Sequence, residues 1–365
     1  MLVIHGEPSF CLATPELELY LTQRGGHLAP VIFHLPAGDV SPYALAPWEP
    51  AEFPEIPPLL SVLRGDFFCL PFTGQAVGPP HGETANSQWT QEESDARSLH
   101  LKIQTTDTGA TVEKLITTRA RQHAIYVEHR ISNLEGDFSF GTHPILDFSK
   151  VPEGAGRITT SAFHWASTFP GAFANPADGE TQALAEGAVF TDLSVVALAN
   201  GGTTDLTRYP ARAGHDDLVM MANSPATPAQ PFAWSAAVFE DYVWICLKDP
   251  ADFPATLLWT SNGGREAEPW GGKHLGRAGI EDVCSHFCDG VDVSRQDLLA
   301  GQGIPTTRHF GKDEIVSLKT ISAVATVPKG FGAMRQIVPA GKNGVILTGD
   351  SGTVQINLDW QFLAK

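Results

Sequence analysis

The chain has 365 residues, of which 42% are apolar and 18% charged, with 35 glycines and 27 prolines. This bounds it to one large domain or two ordinary ones with a sizeable core, and many turn formers beside few charges suit many strands joined by many turns. A formal net charge of −17 repels phosphate backbones and anionic membrane surfaces, and with no basic patch to offset it nucleic acid is excluded as a partner.

The first residues, MLVIHGEPSF, have neither a basic region nor a long apolar run, so no signal peptide is expected. No stretch approaches the roughly 20 apolar residues of a membrane helix, so no membrane partner is expected either. Alternation with a period of two starts at LELYLTQ (17–23), the mark of a half-buried strand. Residues 35–60 are Pro-rich and read as a long excursion over a sheet, because Trp48 and several apolar neighbours need cover. Alternation resumes at 99–106, 111–118 and 123–133, with TRARQH (118–123) as a solvated strand end. It returns at 242–248, 255–261, 314–327 and 344–358. One short stretch, SRQDLLAG (294–301), predicts one or two helical turns with Ser294 as cap and Gly301 as terminator.

The fold class expected is therefore all-β, a single domain over 1–365 in which 292–365 is a β-rich extension. A large antiparallel sheet must curl or stack to cover its faces and edges. Two stacked sheets with long loops gathered over one edge or a concave face are the natural outcome. Cys11, Cys69 and Cys246 stand alone in apolar surroundings and read as reduced thiols of a cytoplasmic protein. Cys284, His286 and Cys288 in CSHFC offer a zinc set only with a fourth ligand. Strand alternation would instead put all three on one buried face, and no metal is expected.

No phosphate-loop, nucleophile-elbow or zinc-protease motif is present. Four places carry chemistry. Arg64 in LRGDFF is either a bidentate donor to a ligand oxygen or a structural partner of an acid such as Asp66. His81 in GPPHGETANSQW is presented by two prolines and a glycine, with Trp89 as a stacking surface for a sugar, or is a surface-loop histidine. His143 in FGTHPILDF lies where a strand ends, and its imidazole can move a proton near neutrality, with Asp147 to orient it or reach a ligand hydroxyl. In RAGIEDVC one of Glu281 and Asp282 must point inward, and an inward carboxyl is either a base tuned by desolvation or a salt-bridged structural acid.

Taken in order, these segments resemble the aldose 1-epimerase (galactose mutarotase) superfamily, in particular its branch related to glucose-6-phosphate 1-epimerase. RGDFFCLPFTG and HGETANSQW stand where that branch has an RGG segment and HGFARN…W. THPILDF is similar to its histidine segment, and GIEDVC, after TLLWTSNGGREAEPW, to its late glutamate strand. The resemblance covers roughly residues 15–290. It implies a β-supersandwich with a concave sugar-binding face and a reaction without a cofactor. Glu281 would take the proton of the anomeric hydroxyl and His143 would protonate the ring oxygen. Arg64 and His81 would hold the sugar.

The departures narrow the substrate. Ala85 replaces the arginine of HGFAR, and Asp66 stands beside Arg64, so a neutral sugar is expected rather than a hexose phosphate. The partner expected is a small carbohydrate, and the chain beyond Glu281 is read as extra cover or a homodimer contact. Two other readings stay open. One is a non-catalytic sugar binder using Trp89, Trp48 or Trp165 as a platform. The other is a polysaccharide lyase or hydrolase with an elongated aromatic groove.

Overall fold

The computed structural model describes residues 2–364. The first five strands, from Leu2–Ile4 to Gly38–Val40, pair in chain order into a five-stranded antiparallel meander. The long alternating runs of the middle and end of the chain assemble into a nine-stranded sheet. Across its centre run Ala233–Val238, Tyr242–Lys248, Val316–Thr326, Ala124–Ser132 and Thr111–Thr117. Against it stacks a seven-stranded sheet whose heart is His215–Asn223, Ala255–Asn262 and Arg277–Cys284. The result is the expected all-β stack.

Burial explains why some strands alternate and others do not. Strand Thr111–Thr117 is buried at every second residue, whereas Arg277–Cys284 is buried throughout, and so is Ala255–Asn262, whose alternation in sequence does not mark a wet face. A strand covered on both faces reads as a continuous apolar run. One face of the seven-stranded sheet, with Val219, Met221, Leu258 and Ile280, joins the main core. The other face, with Leu218, Met220, Leu257 and Trp259, joins a second cluster that includes Trp48, Leu59 and Leu63. The Pro-rich excursion thus does cover a sheet. Trp48 packs edge-on against Trp270 with ring centroids 5.3 Å apart, and its indole N–H donates to Leu60 O.

Three sequence expectations are corrected. Residues 292–365 are not one extension: Val316–Thr326 runs between Ala124–Ser132 and Tyr242–Lys248, inside the nine-stranded sheet. The three strands from Met334 to Asn357 stand outside it, over a third cluster that contains Ile245, Ile321 and Leu347, and Arg308–Phe310 pairs with Gly136–Phe138 in a separate two-stranded ribbon. The helical turn covers Val291–Ser294, earlier than 294–301, because the Ser294 hydroxyl donates back to Gly290 O instead of capping a following turn. The strand carrying Cys284 ends there, so His286 and Cys288 do not continue its alternation. His286 Nδ1 lies 2.8 Å from Asp289 Oδ2, and the Cys284 thiol faces Pro305 O. Among the described residues no helix is long and apolar enough to cross a membrane.

Candidate active site

The second cluster leaves a cavity of about 150 Å³ on its face of the seven-stranded sheet. His81, His143, Glu281, Trp259, Trp270 and Arg265 supply its polar and aromatic lining, and Leu59, Leu60 and Leu63 roof it. The volume is well below the roughly 300–1,000 Å³ of sites for drug-sized ligands, which suits a small ligand.

Successive residues of a strand point to opposite faces, and this separates the two neighbouring acids. Asp282 turns into the space between the sheets, where Lys248 Nζ lies 2.6 Å away and the Thr256 hydroxyl donates to it at 2.9 Å. Glu281 turns the other way, into the cavity. Gly279, two residues earlier on the same face, gives the carboxyl its seat. A Cβ at Gly279 would lie 2.6 Å from Glu281 Oε1 and 3.1 Å from Trp259 Cε3. The backbone at Gly279 would accept alanine, so Gly279→Ala tests the seat rather than the fold. We expect Tm to change by a few degrees at most while the Glu281 carboxyl is pushed off its seat and its titration midpoint moves, as ¹³C NMR of the labelled carboxyl would read. An unmoved Glu281 midpoint in a folded Gly279→Ala protein would refute this seating role.

His143 is fixed from its backbone and from its ring. Its N–H donates to Phe67 O at 3.0 Å and to Asp66 Oδ1 at 2.9 Å. The imidazole stacks on Phe67 with centroids 4.6 Å apart, and Phe67 stacks in turn on His27. His143 Nε2 lies 3.4 Å from Glu281 Oε1, while Nδ1 is buried and takes no hydrogen-bond partner among the described residues. Nε2 is therefore the nitrogen that can exchange a proton inside the cavity.

His81 owes its place to an unusual turn. Its φ is +64° and that of Gly82 +69°. A Cβ at Gly82 would fall 1.9 Å from Leu70 O, so only glycine fits after the histidine. His81 N–H donates to Thr73 O, and the Thr73 N–H donates to His81 Nδ1. Accepting at Nδ1 leaves the proton of the neutral ring on Nε2. Burial pushes the His81 imidazole down to about 4, so it is neutral at pH 7 and serves as a fixed donor.

The electrostatics of Glu281 and His143 oppose each other's charge. Burial, with a smaller contribution from neighbouring Asp282, pushes the Glu281 carboxyl up to about 8, and Arg265 partly offsets this. Burial, together with His81 and His27, holds the His143 imidazole well below its usual range. At pH 7 the pair thus carries one exchangeable proton, which rests on the Glu281 carboxyl while the His143 imidazole is neutral.

Three residues expected at the site lie elsewhere. Arg64 is buried, and its guanidinium donates to the carbonyls of Ile4, His5 and Val62, stitching the N-terminal hairpin to the Pro-rich segment. Asp147 pairs with Arg277 and lines a different cavity. Trp89 is fully buried, with its indole N–H on Thr84 O and the Lys114 ammonium over its ring. Trp48 and Trp165 belong to the second cluster without lining the cavity. The aromatic wall is instead Trp259 and Trp270, with Arg265 against both. All three stand in WTSNGGREAEPW, where a cation and two tryptophans flank a turn between buried strands. That composition was the available signal.

No family model matches the sequence, and no curated protein does. Solved structures do match in fold. A galactose mutarotase related enzyme from Lactobacillus acidophilus is 10% identical, with a TM-score of 0.56 over 88% of this chain and 99% of its own. An aldose epimerase homologue from C. elegans is 12% identical, with a TM-score of 0.58 over 88% of this chain and 100% of its own. A galactose mutarotase-like protein from Lactobacillus casei is 12% identical, with a TM-score of 0.56 over 87% of this chain and 100% of its own. With near-complete coverage of several such structures and the same stack of large antiparallel sheets, the fold of this chain is that of the galactose mutarotase-like proteins.

Proposed function

We propose that this chain interconverts the anomers of a neutral sugar by acid–base ring opening in the cavity of His81, His143 and Glu281. The observation that carries the reading is the 3.4 Å approach of His143 Nε2 to Glu281 Oε1 inside a small cavity walled by tryptophan. A carboxyl and an imidazole that share one proton can accept a proton at one point of a ligand and deliver one at another. The aromatic wall suits the apolar face of a sugar ring. The Nε2–H of His81 supplies a fixed donor for a hydroxyl or the ring oxygen.

The steps balance without a cofactor. In the reacting form the pair's proton has passed from Glu281 Oε1 to His143 Nε2, and the sugar's anomeric O–H gives its own proton to the Glu281 carboxylate so formed. The O1 electrons form the C1=O1 bond, the C1–O5 bond breaks, and O5 takes the proton from His143 Nε2. Rotation about C1–C2 presents the other face of the aldehyde. Closure by the reverse transfers gives the other anomer and restores the pair. Arg265 is the one cation among the cavity-lining residues, and Glu180 and Asp216 both lie against it, so the site favours neutral sugars over phosphates.

Anomer exchange followed by NMR on neutral aldoses and their 6-phosphates tests the proposal. Exchange above the uncatalysed rate with a neutral aldose is the expected result. No acceleration by folded protein with any sugar, alongside measurable sugar binding, would favour the non-catalytic binder. The pH dependence gives an independent check, since the active form holds one proton on the pair. Activity falls as pH rises through about 8, where Glu281 would lose that proton. It falls again well below the usual imidazole range, where a second proton binds at His143. A profile flat from pH 7 to about 9 would exclude the pair as the acid–base couple.

A further inference from the structure

The charge of Arg265 is not used by any step above, yet its surroundings are built to hold a guanidinium in place. Its central carbon lies 5.0 Å from the Trp270 ring centroid, 5.5 Å from that of Trp259 and 5.6 Å from that of Phe173. Its Nε lies 3.5 Å from Glu180 Oε1 and 3.4 Å from Asp216 Oδ2. The other Asp216 oxygen accepts the N–H groups of Asn262 and Gly264 and so ties the arginine's loop to its flanking strand. Among the described residues the terminal guanidinium nitrogens take no hydrogen-bond partner, and Arg265 lines the cavity with Glu281. Trp259 connects the two. Arg265 lies over its ring, and the Glu281 carboxyl sits beside it above Gly279.

We propose that Arg265 is a positioning residue for the shared proton: its fixed charge stabilises the Glu281 carboxylate while the proton passes from Oε1 to His143 Nε2. Glu180 and Asp216 set how much of that charge the cavity feels. The inference rests on the acid–base reading of the site. Other groups bear on Glu281 and none replaces this cation. Asp282 is its neighbour on the same strand, and His143 faces it at 3.4 Å. His81 and Cys288 line the same cavity, and Cys69 lies beneath His81. Burial holds both thiols in the neutral form. Arg265 is thus the one positive side chain opposing the burial of this carboxyl.

The test reads the carboxyl directly and does not depend on turnover. Protein labelled with ¹³C at the glutamate carboxyl is titrated by NMR, with Glu281→Gln to assign the Glu281 signal. Arg265→Met should move the Glu281 midpoint up by about one pH unit, the lower end of what a nearby opposite charge does. Arg265→Lys should bring it back toward the wild-type value. Glu180→Gln, which frees more of the guanidinium's charge, should move it down. The alkaline limb of exchange activity should follow each midpoint, and the plateau should fall in Arg265→Met. A midpoint unmoved by Arg265→Met, or not restored by Arg265→Lys in folded protein, would overturn the inference. Should Arg265→Met fail to fold, the direction of the Glu180→Gln shift decides. If wild type accelerates no sugar, the epimerase reading falls while the midpoints still judge Arg265.

Discussion

Glu281→Gln should lower the acceleration of anomer exchange by roughly 10²–10⁴-fold, the range that a positioned acid–base group contributes. The amide preserves the shape of the side chain above Gly279 but cannot accept the anomeric proton or share one with His143. The loss should therefore fall on turnover, with sugar affinity changed little. The same substitution should stabilise the fold, in a pH-dependent way. The folded carboxyl is pushed up to about 8 by burial, from an ordinary value of 4.5. Between those values the folded protein holds a proton that the unfolded chain has released, so wild-type stability falls as pH rises through that window. Glutamine makes no such demand. The Tm advantage of Glu281→Gln should be small near pH 5 and grow toward about pH 8, as thermal unfolding at several pH values would reveal. An advantage independent of pH would show that Glu281 is not the buried acid described.

Lys248→Met should cost about 3–5 kcal/mol of stability, the range for breaking a buried ion pair from one side. Lys248 and Asp282 have fully buried side chains with Nζ and Oδ1 2.6 Å apart, and Nζ also donates to the Ser235 hydroxyl. Removing the ammonium leaves the Asp282 carboxylate facing the main core with only the Thr256 hydroxyl and the Cys246 thiol to donate to it. The double variant Lys248→Met/Asp282→Leu should recover most of that loss, because two apolar side chains of similar size remove the stranded charge. Urea midpoints of the single and double variants measure both. A single variant within about 1 kcal/mol of wild type would mean that the pair is not desolvated as described.

The fold was legible in the sequence wherever a strand has one wet face. The runs at 17–23, 99–106, 111–118 and 123–133 alternate because one side of each is only part-buried, and each matches an observed strand within about two residues. His215–Asn223 and Ala233–Val238 gave no such sign, since they are buried along nearly their whole length. The site divides on similar lines. His81, His143 and Glu281 stand at turns and strand positions where backbone chemistry or a change of face gives a local signal, and all three line the cavity. Arg64 carries the same kind of signal, an arginine before a glycine, but its partners are carbonyls some 60 residues away, at Ile4 and His5. Trp89 and Asp147 likewise depend on distant partners for their orientation. Arg265, Trp259 and Trp270 carry only the compositional hint of WTSNGGREAEPW, because their meeting depends on how one loop folds back over its own strands.

The placement of Val316–Thr326 bears on how this protein can be made. The strand pairs on one side with Ala124–Ser132 and on the other with Tyr242–Lys248. A nascent chain that has reached residue 300 holds both flanks of the nine-stranded sheet and lacks the strip that joins them. Both flanks then present unpaired edges, the surfaces on which chains associate wrongly. Synthesis at about 5–20 residues per second keeps that gap open for seconds, so the cavity of His143 and Glu281 acquires its full backing only when nearly all of the polypeptide has emerged. Shortening the C-terminus past this strand would not trim an appendage. It would leave two half-sheets with an exposed seam, and aggregation rather than a smaller folded protein.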